Sequence, residues 1–454
     1  MGLLKKALSF FKNSHFQSLL GTGFNSFIGF VIYAMIFRAI PIVDVGYYVL
    51  FTIVLNLIDT VKAGFLTTAF VNFFAGVDEH RAREVAGSSW GLGLIITGGL
   101  VICNIGLYFA IPYVSDPAIV LVFKYFAIVS IVTMPAFMAT IVVQAEKRFD
   151  RLLVLRLITQ LSFLAAIVTL MITGQATLNT IIYAYIGSNL LASVVTLMFG
   201  WTRFNNLKYA TKKAINEIFH FGKYSFGTSI SSNLFSVTDN FFISVYLGPA
   251  YTAIYSLGGK LIQIVEIPLL SFTMSTMPNM AAYYNKEYKY NVIFVMKKMI
   301  GMLTIPLVFI AIFSIIFAGP IIAIIGGQRF VHTEAPNVFR IFMTLAILYP
   351  ADRFSAVALD VINKPQVNFY KIIVMLTLNL VADYIGVTVF KSVYSIAITN
   401  ILPLLAAIIM AYVPLNKYYA FNFWSIYSVG YQELMTLIKS TYANLKGRHP
   451  AEEV

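Results

Sequence analysis

Runs of about twenty apolar residues, separated by short basic or turn-rich gaps, recur along almost the whole chain, and a helix of about twenty residues is what crosses a bilayer. They fall at roughly 17 to 37, 47 to 75, 89 to 111, 118 to 145, 157 to 173 and 178 to 200. After a basic stretch they resume at roughly 224 to 247, 252 to 279, 293 to 318, 338 to 359, 372 to 389 and 394 to 413. Twelve spans of this kind predict an all-α integral membrane protein. Composition agrees, because only 11% of the 454 residues are charged against about 25% in a soluble domain. A mean hydropathy of +0.81 likewise makes the bilayer the expected solvent.

The net charge of +13 raises a polyanionic partner as a question. Nucleic-acid binding needs bases gathered on one soluble face, whereas here they sit in short gaps between apolar runs. Counted over alternate loops, 24 of the 32 Lys and Arg residues, Lys371 among them, share a side with both termini, and the other side holds only Arg38, Arg329 and Lys391. The positive-inside rule therefore puts both termini in the cytoplasm, and most of the charge is a topology signal. The remaining five bases, Lys62, Lys124, Lys260, Arg340 and Arg353, lie within the spans.

Enzyme chemistry has no foothold. The single cysteine, Cys103, lies inside an apolar run, and the histidines at 15, 80, 220, 332 and 449 lack ligand spacing. There is no phosphate-binding glycine loop, nucleophile elbow or dinucleotide fingerprint. No cofactor and no metal are expected. The first span, preceded by Lys5, Lys6 and Lys12 without a small-residue cleavage site, reads as a retained anchor.

The chain repeats itself weakly at an offset of about 207 residues. Gly46, Tyr47 and Tyr48 correspond to Ala253, Ile254 and Tyr255, and Asp59 falls on Glu266. Six spans per half, an even number, make the halves parallel repeats about an axis along the membrane normal. The expected organisation is a six-helix bundle over 1–205, a second over 206–416 and a cytoplasmic or interfacial tail over 417–454. The linker at roughly 201 to 223 interleaves five bases with Leu207, Ile215, Ile218 and Phe219. It reads as a plain positive-inside linker or as an amphipathic helix on anionic lipid heads. The tail reads as an interfacial helix, with a thirteenth span as the alternative.

Several stretches carry a family resemblance: Phe37-Arg38-Ala39-Ile40-Pro41 followed by Asp44-Val45-Gly46-Tyr47-Tyr48, then Phe221-Gly222-Lys223-Tyr224. Asp239-Asn240-Phe241-Phe242-Ile243 before Gly248, and Ala253-Ile254-Tyr255-Ser256-Leu257, complete the pattern. With the twelve-span, two-half layout, they resemble polysaccharide-type flippases of the superfamily that also holds multidrug and toxin extruders and lipid II flippases. The resemblance implies two six-helix bundles around a central cavity. It also implies transport of an undecaprenyl-pyrophosphate-linked oligosaccharide to the outer leaflet of a bacterial inner membrane by alternating access. Membrane lipids are partners by the same implication, with a polysaccharide polymerase or glycosyltransferases nearby, and the chain is expected to act as a monomer.

An ionisable group inside a span costs several kcal/mol unless paired or wet, so each is a site candidate. A cation facing a hydrated cavity would offset the cost of moving a phosphate-bearing head group. Lys260, near the middle of its span beside Gly258 and Gly259, is the leading candidate; pairing with Asp239 is its structural alternative. Lys124 lies closer to the outer interface, where a lysine stem snorkels. Arg38 and Arg340 stand at outer span ends, where anchoring competes with head-group contact. Asp59 and Lys62, three apart on one helical face, either neutralise each other or leave Asp59 to bind a cation and Lys62 to meet phosphate. Glu266, Asp239 and Asp383 are the remaining ion-coupling candidates. Arg353, next to Asp352, reads as a gate or local ion pair.

Two other functions compete. A drug or metabolite:cation antiporter of the same superfamily would need acids at its centre, where the candidates here lean basic. A membrane glycosyltransferase or polymerase would show a large outer loop with catalytic residues, yet the longest, roughly 319 to 337, holds only Arg329, His332 and Glu334.

Overall fold

The computed structural model describes residues 14–74, 77–114 and 116–445, and every regular element among them is helical. Lys5, Lys6, Lys12, Lys446 and Arg448 lie outside the described residues. The first six helices are α1 Ser14–Ala39, α2 Ile42–Phe74, α3 Glu79–Tyr108, α4 Pro117–Ala145, α5 Phe149–Ile172 and α6 Leu178–Met198. A 3₁₀ segment, Phe204–Tyr209, leads into α7 Lys212–Tyr246, α8 Pro249–Asn285 and α9 Lys289–Ile316. Two short helices, α10 Ala318–Gly326 and α11 Gln328–Val331, precede α12 Ala335–Ala346, α13 Tyr349–Val361 and α14 Pro365–Ile385. A π turn, Gly386–Phe390, then leads to α15 Val393–Thr399, α16 Ile401–Tyr418 and α17 Ser425–Leu445.

Each of the twelve expected spans has its helix. Nine helices among the described residues are long and apolar enough to cross a membrane, and α12 with α13 forms a further span bent by 41°. Of the other two, α1 is apolar over Ser26–Ala39. The 35 residues of α7 are polar for a span because Ser229, Ser231, Asn233, Thr238, Asp239 and Asn240 fall within them. Large apolar side chains such as Ile102, Phe109, Phe309 and Ile409 stand exposed along these helices, as they must where lipid is the solvent. Starts and stops follow local chemistry. Asp78 accepts from the Arg81 amide to cap α3, Asp116 caps α4, and Thr177 with Thr180 forms a reciprocal capping box on α6. Pro135, Pro268 and Pro306 sit inside continuous helices. Pro350 instead opens α13, on the far side of the break, in the first turn where no amide hydrogen is needed.

The chain divides into two compact units, one reaching Ala253 and including Ile325–Gly327, the other made of Ile254–Ile324 and the residues from Gln328 on. The first unit has one core around Leu66, Phe70, Trp90, Met138 and Ile141 and another around Phe51, Tyr125, Val129 and Ile182. In it α7 packs along α2. A Cβ on Gly64 would stand 2.7 Å from Phe226 Cα, so only glycine lets the two backbones approach, and Phe65 stacks between Phe219 and Phe226. Met296, Ile300, Phe354, Leu359, Leu415 and Ile426 form the core of the second unit. There the tail folds as α17, a helix of 21 residues laid on α9. Gly301 and Gly430 meet where the two cross, and Lys298 pairs with Glu433. Helices α2 and α8 begin 207 positions apart, at Ile42 and Pro249, so Asp59 and Glu266 occupy the same turn of each.

Candidate functional site: two adjoining polar pockets in the first unit

Asn56, Asp59 and Thr60 share one face of α2, spaced three and four residues apart, and interrupt an otherwise apolar helix. Lys62, one turn beyond Asp59, is fully buried; its Nζ lies 2.6 Å from Asp59 Oδ1 and 5.8 Å from the centre of the Phe137 ring. The contact is an ion pair without directed hydrogen-bond geometry, and the ammonium has no hydrogen-bond partner among the described residues. A buried cation with a single partner depends heavily on that partner. The Asp59 side chain is 44% exposed and opens onto a pocket of about 460 Å³ lined also by Asn56, Thr60, Thr133, Phe137 and Asn233. From α7, the Asn233 amide nitrogen donates to Thr60 Oγ1 at 2.7 Å, while its Oδ1 is buried without a partner among the described residues.

Asn56 also lines a second pocket of about 230 Å³ with Tyr33, Tyr48, Gln160, Tyr185 and Asn189. No charged residue lines this one. Rings beside amides and hydroxyls match a polyhydroxylated ligand, which offers apolar faces and many hydrogen-bonding edges. One unit thus holds an uncharged polar pocket and an acidic one, joined at Asn56.

The other sequence candidates are distributed as follows. Lys124 is exposed on α4 with Nζ 5.0 Å from the Tyr125 ring centre, and the Tyr125 hydroxyl meets Asn179 and Tyr183. Arg38 is exposed at the end of α1, its Cγ packed near Gly327. Lys260 on α8 and Asp239 on α7 are half-buried, and each interacts with neighbouring groups. Close approach at Gly258 is real: a Cβ there would lie 3.0 Å from Phe342 and 3.3 Å from Val338. Gly259 has open space around it. Arg340 turns back onto α9, where Nε donates to Ile315 O at 3.0 Å and Nη1 to Asn337 Oδ1 at 2.5 Å. That arrangement satisfies a helix-end carbonyl with a cation. Glu266 pairs with Arg353 at 3.6 Å. Asp383 is buried and accepts from Asn379 Nδ2 at 2.8 Å.

Lys371 differs from its reading as an orienting loop base. Because α14 begins at Pro365, Lys371 lies inside the helix, 4% exposed, with Nζ 2.8 Å from Asp352 Oδ1. The pairing also removes Asp352 from its sequence neighbour Arg353. Asn56, Asn233, Gln160 and Tyr185 did not stand out in the sequence, although the spacing of Asn56, Asp59 and Thr60 is a signal that could have found the α2 face.

Comparison with known proteins covers most of the chain. A family model described as "Polysaccharide biosynthesis protein" matches residues 36–335. Among solved structures, the lipid II flippase MurJ in an inward closed conformation superposes with a TM-score of 0.71 at 13% identity, over 93% of this chain and 92% of that one. An inward-facing multidrug resistance MATE family transporter of the MOP superfamily gives 0.70 at 14% identity, covering 90% and 95%. An outward-facing MATE family transporter gives 0.57 at 14%, covering 88% and 94%. No curated protein gives a significant match. Identities this low establish the fold, and the family match covers well over half of the sequence. The chain belongs to the polysaccharide biosynthesis protein family, multi-pass membrane proteins built on the fold of MOP-superfamily flippases and transporters.

Proposed function

We propose that the chain is a flippase moving an undecaprenyl-pyrophosphate-linked oligosaccharide from the cytoplasmic to the outer leaflet of a bacterial inner membrane, for O-antigen, capsule or exopolysaccharide synthesis. The observation that carries this reading is the pair of pockets joined at Asn56: an uncharged pocket of rings and amides suited to sugar, next to the Asp59–Lys62 pair. Tyr33, Tyr48, Tyr185, Gln160 and Asn189 would contact sugar. Lys62, Lys260, Lys124, Arg38 and Arg340 are the proposed cationic contacts for the head group, the last of them weakened by its hold on α9. Asp59 leads the proposed ion-coupling acids, ahead of Asp239, Glu266 and Asp383, because its carboxylate opens onto the pocket that Asn56 and Asn233 line. The two halves, 1–205 and 206–416, would move in alternating access with both termini cytoplasmic. The protein would act as a monomer beside polymerase or glycosyltransferases, without catalysing a reaction itself.

The test is translocation of a labelled undecaprenyl-pyrophosphate sugar by the purified chain in liposomes. Protein-dependent flipping that falls in N56L and K260A variants supports the reading; its absence in the parent overturns it. The half-exposed Asp59 also suits a drug or metabolite:cation antiporter, which would instead give cation-dependent drug resistance in expressing cells.

A further inference from the structure

The loop after α6 is tied to the core of the first unit. Trp90 Nε1, from the core of α3, donates to Thr202 O at 2.7 Å. Gly200 and the non-glycine Arg203 both adopt positive φ, +66° and +49°. A left-handed arginine is strained, so the rest of the loop must hold it there. Around it lie two abutting hollows. One, of about 470 Å³, is lined by Glu146, Arg148, Arg151, Gly200, Trp201 and Arg203. The other, of about 400 Å³, shares Arg203 and adds Arg83 and Lys208.

The charges there do not cancel. Arg203 donates to Glu146 at 2.7 Å and lies 3.8 Å from Glu79. Asp150 accepts from Arg148 at 3.0 and 3.1 Å, and Glu79 from Arg83 at 3.1 Å. Arg151 is left with only a 3.9 Å approach to Glu146 and a position 5.8 Å from the centre of the Trp201 ring, and Lys208 lies over Tyr209. Arg148 is 47% exposed, so its guanidinium retains free donor edges.

Beside this basic hollow the surface turns abruptly apolar. Met198 and Phe199, the last residues of the α6 region, are 80% and 68% exposed, Phe204 is 44% exposed, and Phe199 stacks on Trp201. An exposed apolar helix end meeting an aromatic and arginine collar marks the depth at which a spanning helix leaves hydrocarbon for the head groups. A phosphate at that depth, joined to acyl chains lying along Met198 and Phe199, fits both halves of the surface. A soluble phosphate would leave the apolar half unused.

We propose that the Arg148, Arg151 and Arg203 hollow beside Trp201 binds the phosphate head group of an anionic phospholipid. The site is separate from the pockets at Asn56 and does not depend on what the chain transports. The full-length Trp424→Phe chain, which retains buried Trp90 and interfacial Trp201, tests it in nanodiscs containing brominated phosphatidylglycerol or brominated phosphatidylcholine. Trp201 fluorescence is expected to be quenched preferentially by the brominated phosphatidylglycerol. That preference should fall about fivefold for each of R148Q and R151Q, since a base at an anionic surface contributes about 1 kcal/mol. R148K/R151K should keep most of it, and K212Q/K213Q, which removes the same charge from the exposed start of α7, should leave it unchanged. Equal quenching by the two lipids overturns the proposal. So does a loss in K212Q/K213Q as large as that in R148Q/R151Q, which would mean diffuse attraction. Displacement of the lipid by inorganic phosphate would assign the hollow to a soluble anion and overturn the lipid assignment.

Discussion

Each unit buries a lysine against an aspartate inside a membrane helix, yet the two pairs are built differently. In the second unit both partners are enclosed: the Lys371 side chain is 5% exposed and that of Asp352 14%. The first unit encloses only the lysine, Lys62, and leaves Asp59 44% exposed at the edge of a pocket. A closed pair between α13 and α14 can do little except hold two helices in register. A pair open on its acidic side can exchange its partner, because a ligand or cation reaching Asp59 competes directly for the charge that neutralises Lys62. The difference separates an ion pair that supports the fold from one placed to respond to what enters the pocket.

The largest expected effect comes from breaking the closed pair. K371M leaves the Asp352 carboxylate enclosed without its cation, and losing one partner of a buried pair costs about 3–5 kcal/mol. Thermal unfolding in detergent should show a large drop, and the double variant K371M/D352L should recover most of it. If K371M unfolds like the parent, the pair is wetter than its enclosure indicates and the contrast with Asp59 fails.

Opening the second pair should separate stability from transport. D59N strips Lys62 of its charge partner but leaves an amide oxygen beside the ammonium, so the expected loss is smaller, about 1–3 kcal/mol. Transport should fall about tenfold or more, the scale of about 1.4 kcal/mol or more in a coupling step. D59N/K62M should regain stability without regaining transport. Recovery of both would make the pair structural, like its counterpart in the second unit.

The spans were legible because twenty-residue apolar runs and basic gaps are one-dimensional properties, and each of the twelve runs has its helix. The Asp59–Lys62 pair was legible too, because its partners stand one turn apart on one helix; pairings between helices were not, because they depend on which elements become neighbours. An apolar run beginning at 372 leaves Lys371 as a loop base, whereas α14 begins at Pro365. For Arg340 the sequence left anchoring and head-group contact open, and could not show that α9 ends close enough for its Nε to donate to the Ile315 carbonyl. For α7 the apolar run beginning at 224 located most of the helix and missed its start at Lys212, where Lys212, Lys213, Asn216 and Glu217 interrupt the apolar residues. Asn56 and Asn233 are neutral, so the charge pattern of the spans does not mark them.

A packing change beneath the open pair should act at the next scale. G64A places a methyl 2.7 Å from Phe226 Cα, a backbone atom that cannot swing aside. Overpacking of this kind costs about 1–3 kcal/mol, and forcing α7 away from α2 widens the pocket that both helices line. Lower thermal stability is expected, together with faster labelling of a cysteine introduced at Thr60; an unchanged labelling rate would show that the two helices do not set the width of the pocket.

The smallest expected effect isolates the pocket from the pair. Asn233 donates one hydrogen bond to Thr60 and holds its carbonyl oxygen buried without a partner among the described residues. N233A removes a hydrogen bond with a net value of about 1 kcal/mol, but it also removes an unsatisfied oxygen whose burial is unfavourable in the empty pocket. The two terms nearly cancel, so thermal stability should move by less than about 1 kcal/mol. Substrate binding has no such cancellation, because a ligand hydroxyl that donates to Oδ1 makes the oxygen favourable in the bound state alone. N233A is therefore expected to weaken sugar binding several-fold at nearly constant stability, and N233D, which keeps an acceptor, should weaken it less. A stability loss as large as that of G64A, with binding unchanged, would mean that Asn233 serves only the α2–α7 contact, leaving Asp59 as the one ligand-directed group of the open pair's pocket.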